Sequence, residues 1–229
     1  MSDFLSDPPD AGRSASERWE RAYQAFETPE KERRKFGKRL RIIGAHKWER
    51  RARVLEVCSG RGTGLQAWQD LGFPNVVGVD YSPDLVFGHS HSTKRVIVGD
   101  ARRLPLAHAS VDIAIVQGGL HHLFTTKEVD ETLAEMCRVL RPGGRIIIIE
   151  PWLTPFLRLV HTVCERSIVR RLFPRVDALA TMIEEERETY ERWLNAPEEH
   201  LTVFHRHVVP EFIRRRWGKL IIVGSPVRS

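Results

Sequence analysis

The sequence predicts an α/β domain built on one parallel, doubly wound sheet. Five apolar segments of strand character alternate with helical segments between Arg53 and Glu150. A glycine-rich turn follows the first strand, and a carboxylate follows each of the next two, at Asp80 and Asp100. Because the crossover between parallel strands is right-handed, elements in this order form a sheet with helices on both faces.

Length and composition suit a single domain. The chain has 229 residues, of which 41% are hydrophobic, enough for one full core and some additional helix. Residues 1–16 are rich in Ser, Asp and Pro, and we expect them to form a disordered tail. Residues 17–229 then form the domain, with N-terminal helices at 17–52 and a helical insertion at 152–195.

The sequence indicates a cytoplasmic protein. The first residues have neither the basic nor the apolar region of a signal peptide, and the longest purely apolar run is Ile146 to Ile149, so we expect no transmembrane segment. Three cysteines are far apart and form no C-x-x-C pair. We therefore expect neither a disulfide framework nor a bound metal.

The stretch from Arg53 to Leu65, RVLEVCSGRGTGL, predicts a cofactor site. Glu56 lies within the strand, and glycines follow at alternate positions: Gly60, Gly62 and Gly64. Glycine permits positive φ angles and lets a ligand approach the main chain closely. A dinucleotide motif, G-x-G-x-x-G, would require glycine at position 65, which excludes a nicotinamide cofactor.

This stretch resembles motif I of the class I S-adenosylmethionine-dependent methyltransferases, in which an acidic residue on the first strand precedes G-x-G-x-G. The resemblance implies a Rossmann-like sheet of seven strands, mostly parallel with an antiparallel last strand. It also implies S-adenosylmethionine as cofactor and S-adenosylhomocysteine as product. The glycine loop would approach the methionine part, and Glu56 would brace the loop and its ammonium contacts. We expect the final hairpin at 212–217 and 219–223.

Two strand ends are candidates for the nucleoside. Asp80 ends a strand at the distance from the glycine loop where a βαβ unit binds ribose hydroxyls, and Tyr81 could lie against adenine. The resemblance implies that Asp100 binds the adenine amino group while the backbone of Ala101 meets a ring nitrogen. The alternative is that Asp100 caps the turn at 102–104.

The fourth strand ends in Gln117-Gly-Gly-Leu-His-His. The resemblance implies that this loop faces the methionine part, which makes Gln117 a cofactor candidate. His121 and His122 are candidate general bases, because the unperturbed histidine pKa is close to the working pH. Alternatively, one of them supports the loop by hydrogen bonding. Methyl transfer requires no universal catalytic residue, so the catalytic residue stays unassigned.

The insertion is expected to cover the acceptor pocket with two helices, 155–171 and 176–195. Its aromatic residues give the substrate candidates Trp152, Phe156 and Tyr190. Its arginines could meet an acidic group or an anionic membrane surface. The alternative is that the segment only completes the core. Tyr23, in the segment that folds over the cofactor in the resembled family, is a further candidate, unless it docks the N-terminal helix.

The segment 31–53 is strongly basic and leaves the function open between classes. It is either a footprint for nucleic acid, lipid or phosphate, or the solvated side of a helix whose stripe of Phe36, Leu40 and Ile43 packs on the domain. We therefore consider three hypotheses. The first is a methyltransferase for a small-molecule or lipid-like acceptor. The others are an RNA-binding or RNA-modifying methyltransferase and a catalytically silent cofactor-binding protein.

Overall fold

The computed structural model describes residues 11–87 and 95–227. Its strands are β1 (Val54–Val57), β2 (Val76–Asp80), β3 (Val96–Val98), β4 (Val111–Gln117), β5 (Leu140–Pro151), β6 (Val208–Arg216) and β7 (Lys219–Pro226). Its α-helices are α1 (Ala11–Phe26), α2 (Pro29–Ile42), α3 (Thr63–Asp70), α4 (Pro83–Phe87), α5 (Thr126–Val139), α6 (Pro155–Cys164), α7 (Ser167–Leu172), α8 (Pro174–Glu185), α9 (Arg187–Asn195) and α10 (Pro197–His207). Short 3₁₀ turns lie at Ala45–Lys47 and Leu120–His122.

The described residues divide into two compact units. The helical unit comprises residues 11–28 and 159–187, and the sheet unit comprises residues 29–158 and 188–227. Within the helical unit α1 packs along α8, and Arg18 pairs with Glu185 at 3.2 Å. None of the helices in 11–87 and 95–227 has the length and apolarity that crossing a bilayer requires.

The sheet unit contains a seven-stranded sheet in the order β3-β2-β1-β4-β5-β7-β6. The first five strands are parallel, whereas β7 runs antiparallel to both β5 and β6. This confirms the predicted fold class and the final hairpin. The chain winds outward from β1 in one direction and from β4 in the other. The carboxyl ends of β1 and β4 therefore border the switch point at which open α/β sheets bind ligands.

Helices α2 and α3 cover one face of the sheet. Trp68 and Leu65 of α3 are fully buried against alternate residues of the central strands, such as Ile115 and Ile147. Leu40 of α2 joins the same core, and Phe36 and Ile43 pack against it. The predicted apolar stripe of the basic segment thus packs on the domain, because its spacing places these side chains on one side of a helix. Helix α5 packs against β4 and β5, with α10 beside it.

Several boundaries differ from those predicted. Residues 1–10 of the expected tail lie outside the described residues, whereas 11–16 belong to α1, because the Ala, Glu and Arg residues that follow favour helix. The expected helix 155–171 is interrupted at Arg166, whose backbone is extended. The expected helix 176–195 is interrupted at Glu186, where α8 ends.

Helix α10 was not predicted at all. Its signals were nevertheless present in the sequence. Pro197 begins the helix, two glutamates occupy the first turn, and basic residues occupy the last turn. Proline at the first position and charges that complement the helix dipole are typical of helix ends.

The docking of α2 generates a stability prediction. Leu40→Ala should lower the free energy of unfolding by about 2 to 5 kcal/mol, because it leaves a cavity in the core under the helix. Lys38→Ala, at an exposed position on the same helix, should change it by less than about 0.5 kcal/mol. Urea unfolding of both variants provides the measurement. An equal, small effect would show that the helix is not part of the core.

Candidate functional site

The loop after β1 is held in an unusual backbone conformation. Cys58, Gly60 and Gly62 all have positive φ angles, of 55°, 50° and 75°. A positive φ at a residue with a Cβ stores strain and is concentrated at functional sites. A Cβ built on Gly60 would meet nothing within 4 Å, so the main chain borders open space there. The loop therefore presents exposed backbone at the switch point of the sheet.

Glu56 lies beneath this loop. It is 2% exposed, and in β1 it stands between Gly78 of β2 and Ile115 of β4. Its carboxylate reaches the first turn of α3, where a Cβ on Gly64 would overlap both of its oxygens. Gly64 was predicted as a cofactor contact, and the structure gives it a packing role: only glycine leaves room for Glu56.

The Glu56 carboxylate is poorly compensated. Its Oε1 accepts one long hydrogen bond of 3.4 Å from Gln117, the last residue of β4. Among the described residues, neither Glu56 Oε2 nor Gln117 Oε1 has a partner. Burial raises the pKa of Glu56 to about 8, the bond from Gln117 opposes this shift, and the charge of Glu32 adds to it. A cation bound here would relieve this burial cost.

Glu32 is a site residue that the sequence analysis missed. It lies on α2, and its Oε2 accepts a hydrogen bond of 2.8 Å from the hydroxyl of Thr63, the first residue of α3. Thr63 directly precedes Gly64, against which the Glu56 carboxylate packs, and the charge of Glu32 contributes to the raised pKa of Glu56. Glu32 lies within a run of charged residues, so the sequence pattern did not distinguish it as a site residue. Two acidic groups thus lie together below the glycine loop.

Asp80 ends β2 and ties the loop in place. It is largely buried, and its Oδ2 accepts a bond of 2.6 Å from Gly60 N while Oδ1 accepts one of 3.0 Å from Ser82 N. Each carboxylate oxygen has a second acceptor site, so ribose hydroxyls could still bind. Tyr81 is 76% exposed beside it. The ribose and adenine roles of these two residues stay predictions.

Asp100 follows β3 and is engaged by Arg102. The guanidinium lies 2.7 Å from Asp100 Oδ2, and Arg102 N donates to Oδ1 at 2.8 Å. The hydrogen bond from the Arg102 side chain holds the pKa of Asp100 below its usual value. Arg102 also pairs with Glu128 at 2.6 Å. Asp100 thus caps the turn, as in the alternative interpretation, and the adenine contacts of Asp100 and Ala101 stay predictions.

The loop after β4 packs directly against the loop after β1. Gly118 has a φ of 67°, and a Cβ on Gly119 would overlap the Cβ of Cys58. The two loops can be adjacent only because this position lacks a side chain. Gln117 and the two predicted histidines are therefore brought to the same edge of the sheet as the glycine loop.

Glu150, near the end of β5, organises this second loop and was also missed. It is fully buried, and its Oε1 accepts bonds of 2.9 Å from Gly119 N and Leu120 N. Its Oε2 lies 2.9 Å from His121 Nδ1. An acidic residue ending a run of four isoleucines in a central strand was the signal available in the sequence.

The histidines differ in their surroundings. His121 is buried, and its ring meets that of Tyr190 edge-on at a centroid distance of 6.0 Å. His122 is exposed and lies against His121 at 4.1 Å. His121 therefore supports the loop through Nδ1 and stays a candidate base. Tyr190, a predicted substrate residue, lies beside it.

The remaining substrate candidates lie elsewhere. Trp152 is buried, with Arg215 over its ring, and Phe156 packs edge-on against Trp217 at 5.1 Å. Both thus lie beside the turn between β6 and β7. Tyr23 belongs to the helical unit, where it stacks on Trp19 at 4.9 Å. None of these observations tests a substrate role.

These residues fit S-adenosylmethionine. The orphaned oxygen of Glu56 and the nearby Glu32 suit the ammonium group of its methionine part. The open main chain at Gly60 allows close approach, and Asp80 supplies acceptors for hydroxyls. When bound, this cofactor supplies a methyl group activated by a sulfonium.

Comparison with known proteins agrees with this site. Residues 55–148 match the family described as methyltransferase domain. The demethylmenaquinone methyltransferase of Renibacterium salmoninarum is 36% identical over 124 residues, which are 48% of this chain and 46% of that protein. The ubiquinone/menaquinone biosynthesis C-methyltransferase of Rubrivivax gelatinosus is 33% identical over 143 residues, 52% of this chain and 54% of that protein. The chain spans about half the length of the curated relatives it matches.

Solved structures share the fold. A protein from Pyrococcus horikoshii superposes with a TM-score of 0.64 at 20% identity, over 90% of this chain and 97% of its own. An S-adenosylmethionine-dependent methyltransferase from Methanococcus maripaludis gives 0.62 at 15% identity, over 100% and 99%. The motif, the sheet topology and the match of residues 55–148 all make the chain similar to the class I S-adenosylmethionine-dependent methyltransferases.

Proposed function

We propose that the chain transfers a methyl group to a small, lipid-like acceptor of the quinol class. The observation that carries the proposal is the buried pair of His121 and Glu150 at the edge of the sheet where the cofactor site lies. The relatives named for demethylmenaquinone and ubiquinone/menaquinone support the same acceptor class.

The pair can act as a general base. Glu150 Oε1 accepts two backbone N–H bonds, and its Oε2 lies 2.9 Å from His121 Nδ1, so a neutral His121 that donates from Nδ1 carries its basic lone pair on Nε2. A carboxylate in this position also stabilises the imidazolium that forms when the ring takes a proton. The tautomer required of a base is thus set by the second loop.

A quinol needs such a base. Loss of a hydroxyl proton to His121 would make the neighbouring ring carbon nucleophilic toward the methyl group that S-adenosylmethionine supplies, with S-adenosylhomocysteine as the leaving group. Release of the ring proton to solvent and return of the His121 proton to the oxygen would restore the aromatic quinol. The chain's remaining task is to hold the acceptor behind the methyl and to exclude water. Tyr190, whose ring meets that of His121 edge-on, is the residue that we expect to contact the acceptor ring.

The exposed basic face of α2 supports an alternative function, RNA binding or modification. Arg34, Lys38 and Arg41 lie exposed on this helix, although Arg33 is paired with Asp70. RNA that co-purifies with the protein and dissociates steeply with salt would favour RNA binding or modification. Cofactor binding without turnover on any acceptor would favour the silent protein.

The cofactor assignment gives the first binding prediction. S-adenosylhomocysteine should bind at micromolar strength, and NAD should not bind. Asp80→Ala should weaken the binding by about 1.5 to 3 kcal/mol, the range for a hydrogen bond to a charged group. Asp84→Ala, an exposed carboxylate four residues along, is the matched control and should bind like the parent. Calorimetric titration measures all three proteins, and equal affinities would disprove the site.

The acceptor assignment is tested by turnover of a short-chain demethylmenaquinol. His121→Asn should lower kcat by about 10²- to 10⁴-fold, as expected for loss of a general base. Its affinity for S-adenosylhomocysteine should stay within about 0.5 kcal/mol of the parent. His205→Asn, at an exposed position, is the control. An unchanged kcat in His121→Asn would show that His121 is not the base. Absence of turnover by the parent chain would show that the acceptor is not a quinol, and it would not affect the cofactor assignment.

A further inference from the structure

We propose that the helical unit docks onto an anionic lipid bilayer through a surface patch at residues 166–175. The 166–175 patch consists of three large apolar side chains, Ile168, Leu172 and Phe173, and three arginines, Arg166, Arg171 and Arg175. It lies within one unit of the fold, and none of its residues is a candidate cofactor contact. The inference does not depend on which acceptor is methylated.

The apolar part of the patch is highly exposed. Ile168, Leu172 and Phe173 are 72%, 67% and 57% exposed. Ile168 and Leu172 are four residues apart on α7 and therefore share one side of that helix. Phe173 follows directly, and Pro174 begins α8. Contiguous exposed apolar side chains of this size mark an interaction surface rather than ordinary surface variation.

The charge of the patch identifies the partner. Glu165 is the one acidic residue between Leu159 and Val176, against four arginines. Arg170 is neutralised within the fold, since it pairs with Asp177 at 2.8 Å and with Glu184. Arg166 and Arg171 have no ion pair with any acidic side chain of the described residues, and both are exposed.

A cleft adjoins the patch. It has a volume of about 490 Å³ and is lined by Ser167, Arg170, Arg171 and Pro174, together with the carboxylates of Glu165 and Asp177. Arg175, at the start of α8, donates to the backbone oxygen of Phe26 and has no acidic partner among the described residues. The arginines that remain uncompensated thus border the exposed apolar side chains.

This combination matches a membrane interface better than a protein partner. Apolar side chains enter the boundary between headgroups and acyl chains, while arginines around them meet lipid phosphates. Near an anionic surface each arginine contributes about fivefold in partitioning. With six residues, α7 lies on the bilayer and does not cross it. A protein partner would be expected to bring acidic groups to the same arginines, and this outcome is included in the test.

Cosedimentation with vesicles tests the proposal. The full chain should bind vesicles that contain phosphatidylglycerol and bind phosphatidylcholine vesicles only weakly, and high salt should reduce the binding. Ile168→Ser with Leu172→Ser should lower the partitioning at least about tenfold. Val209→Ser with Ile213→Ser replaces two exposed aliphatic side chains of β6 and should leave the binding unchanged.

The arginines are tested separately. Arg166→Gln with Arg171→Gln should reduce binding to the anionic vesicles about twentyfold and leave binding to neutral vesicles unchanged. Lys47→Gln with Arg51→Gln removes two exposed charges of the sheet unit and is the matched control. Melting curves of all variants confirm that the fold is kept.

Four results would overturn the proposal. The parent chain could fail to bind anionic vesicles, or the serine variant could bind them as strongly as the parent. Ultracentrifugation could also show a dimer that the serine variant dissociates, without vesicle binding, which would make a second copy of this chain the occupant of the patch. A protein ligand that competes for the arginines while vesicles do not bind would assign the patch to a protein partner.

Discussion

A buried carboxylate, Glu56, with no cationic partner among residues 11–87 and 95–227 is the constraint on which the rest of the site depends. Glu56 lies inside a parallel sheet, and desolvation raises its pKa to about 8. A charge in such a place is tolerated only when a partner compensates it. The loop above it has glycine where Glu56 needs space, at Gly64, and an open main chain at Gly60. The site is therefore suited to a ligand with a cationic group, which would complete the hydrogen bonding of Glu56.

The same site shows how two other carboxylates shape their loops. Asp80 holds the first loop through Gly60 N, and Glu150 holds the second through Gly119 N and Leu120 N. Both follow from one property of parallel sheets, since the carboxyl ends of neighbouring strands meet at one edge. Asp80 and Glu150 accept hydrogen bonds from backbone N–H groups that have no partner in the strands at this edge. Asp80 remains available to a ligand, and Glu150 remains available to His121.

The sequence analysis predicted the features that depend on local patterns. Glycine spacing, the strand before it and the Asp80 position are all short-range signals, and the structure has the predicted sheet. Glu32 was missed because its partner, Thr63, is 31 residues away and only folding brings them together. Glu150 was missed because an acid after four isoleucines resembles the end of a strand. The helix interruptions at Arg166 and Glu186 escaped because neither position has a proline or glycine to mark the break.

The protonation of Glu56 tests whether its buried carboxyl group binds the ammonium group of the cofactor. Because its pKa of about 8 leaves Glu56 mostly protonated at pH 7, binding an ammonium beside it should expel that proton. Titration with S-adenosylhomocysteine at pH 7, in buffers of different ionisation enthalpy, counts the protons released. We expect a release approaching one proton for the parent chain and almost none for Glu56→Gln. Binding heats of the parent that are identical in all buffers would contradict it.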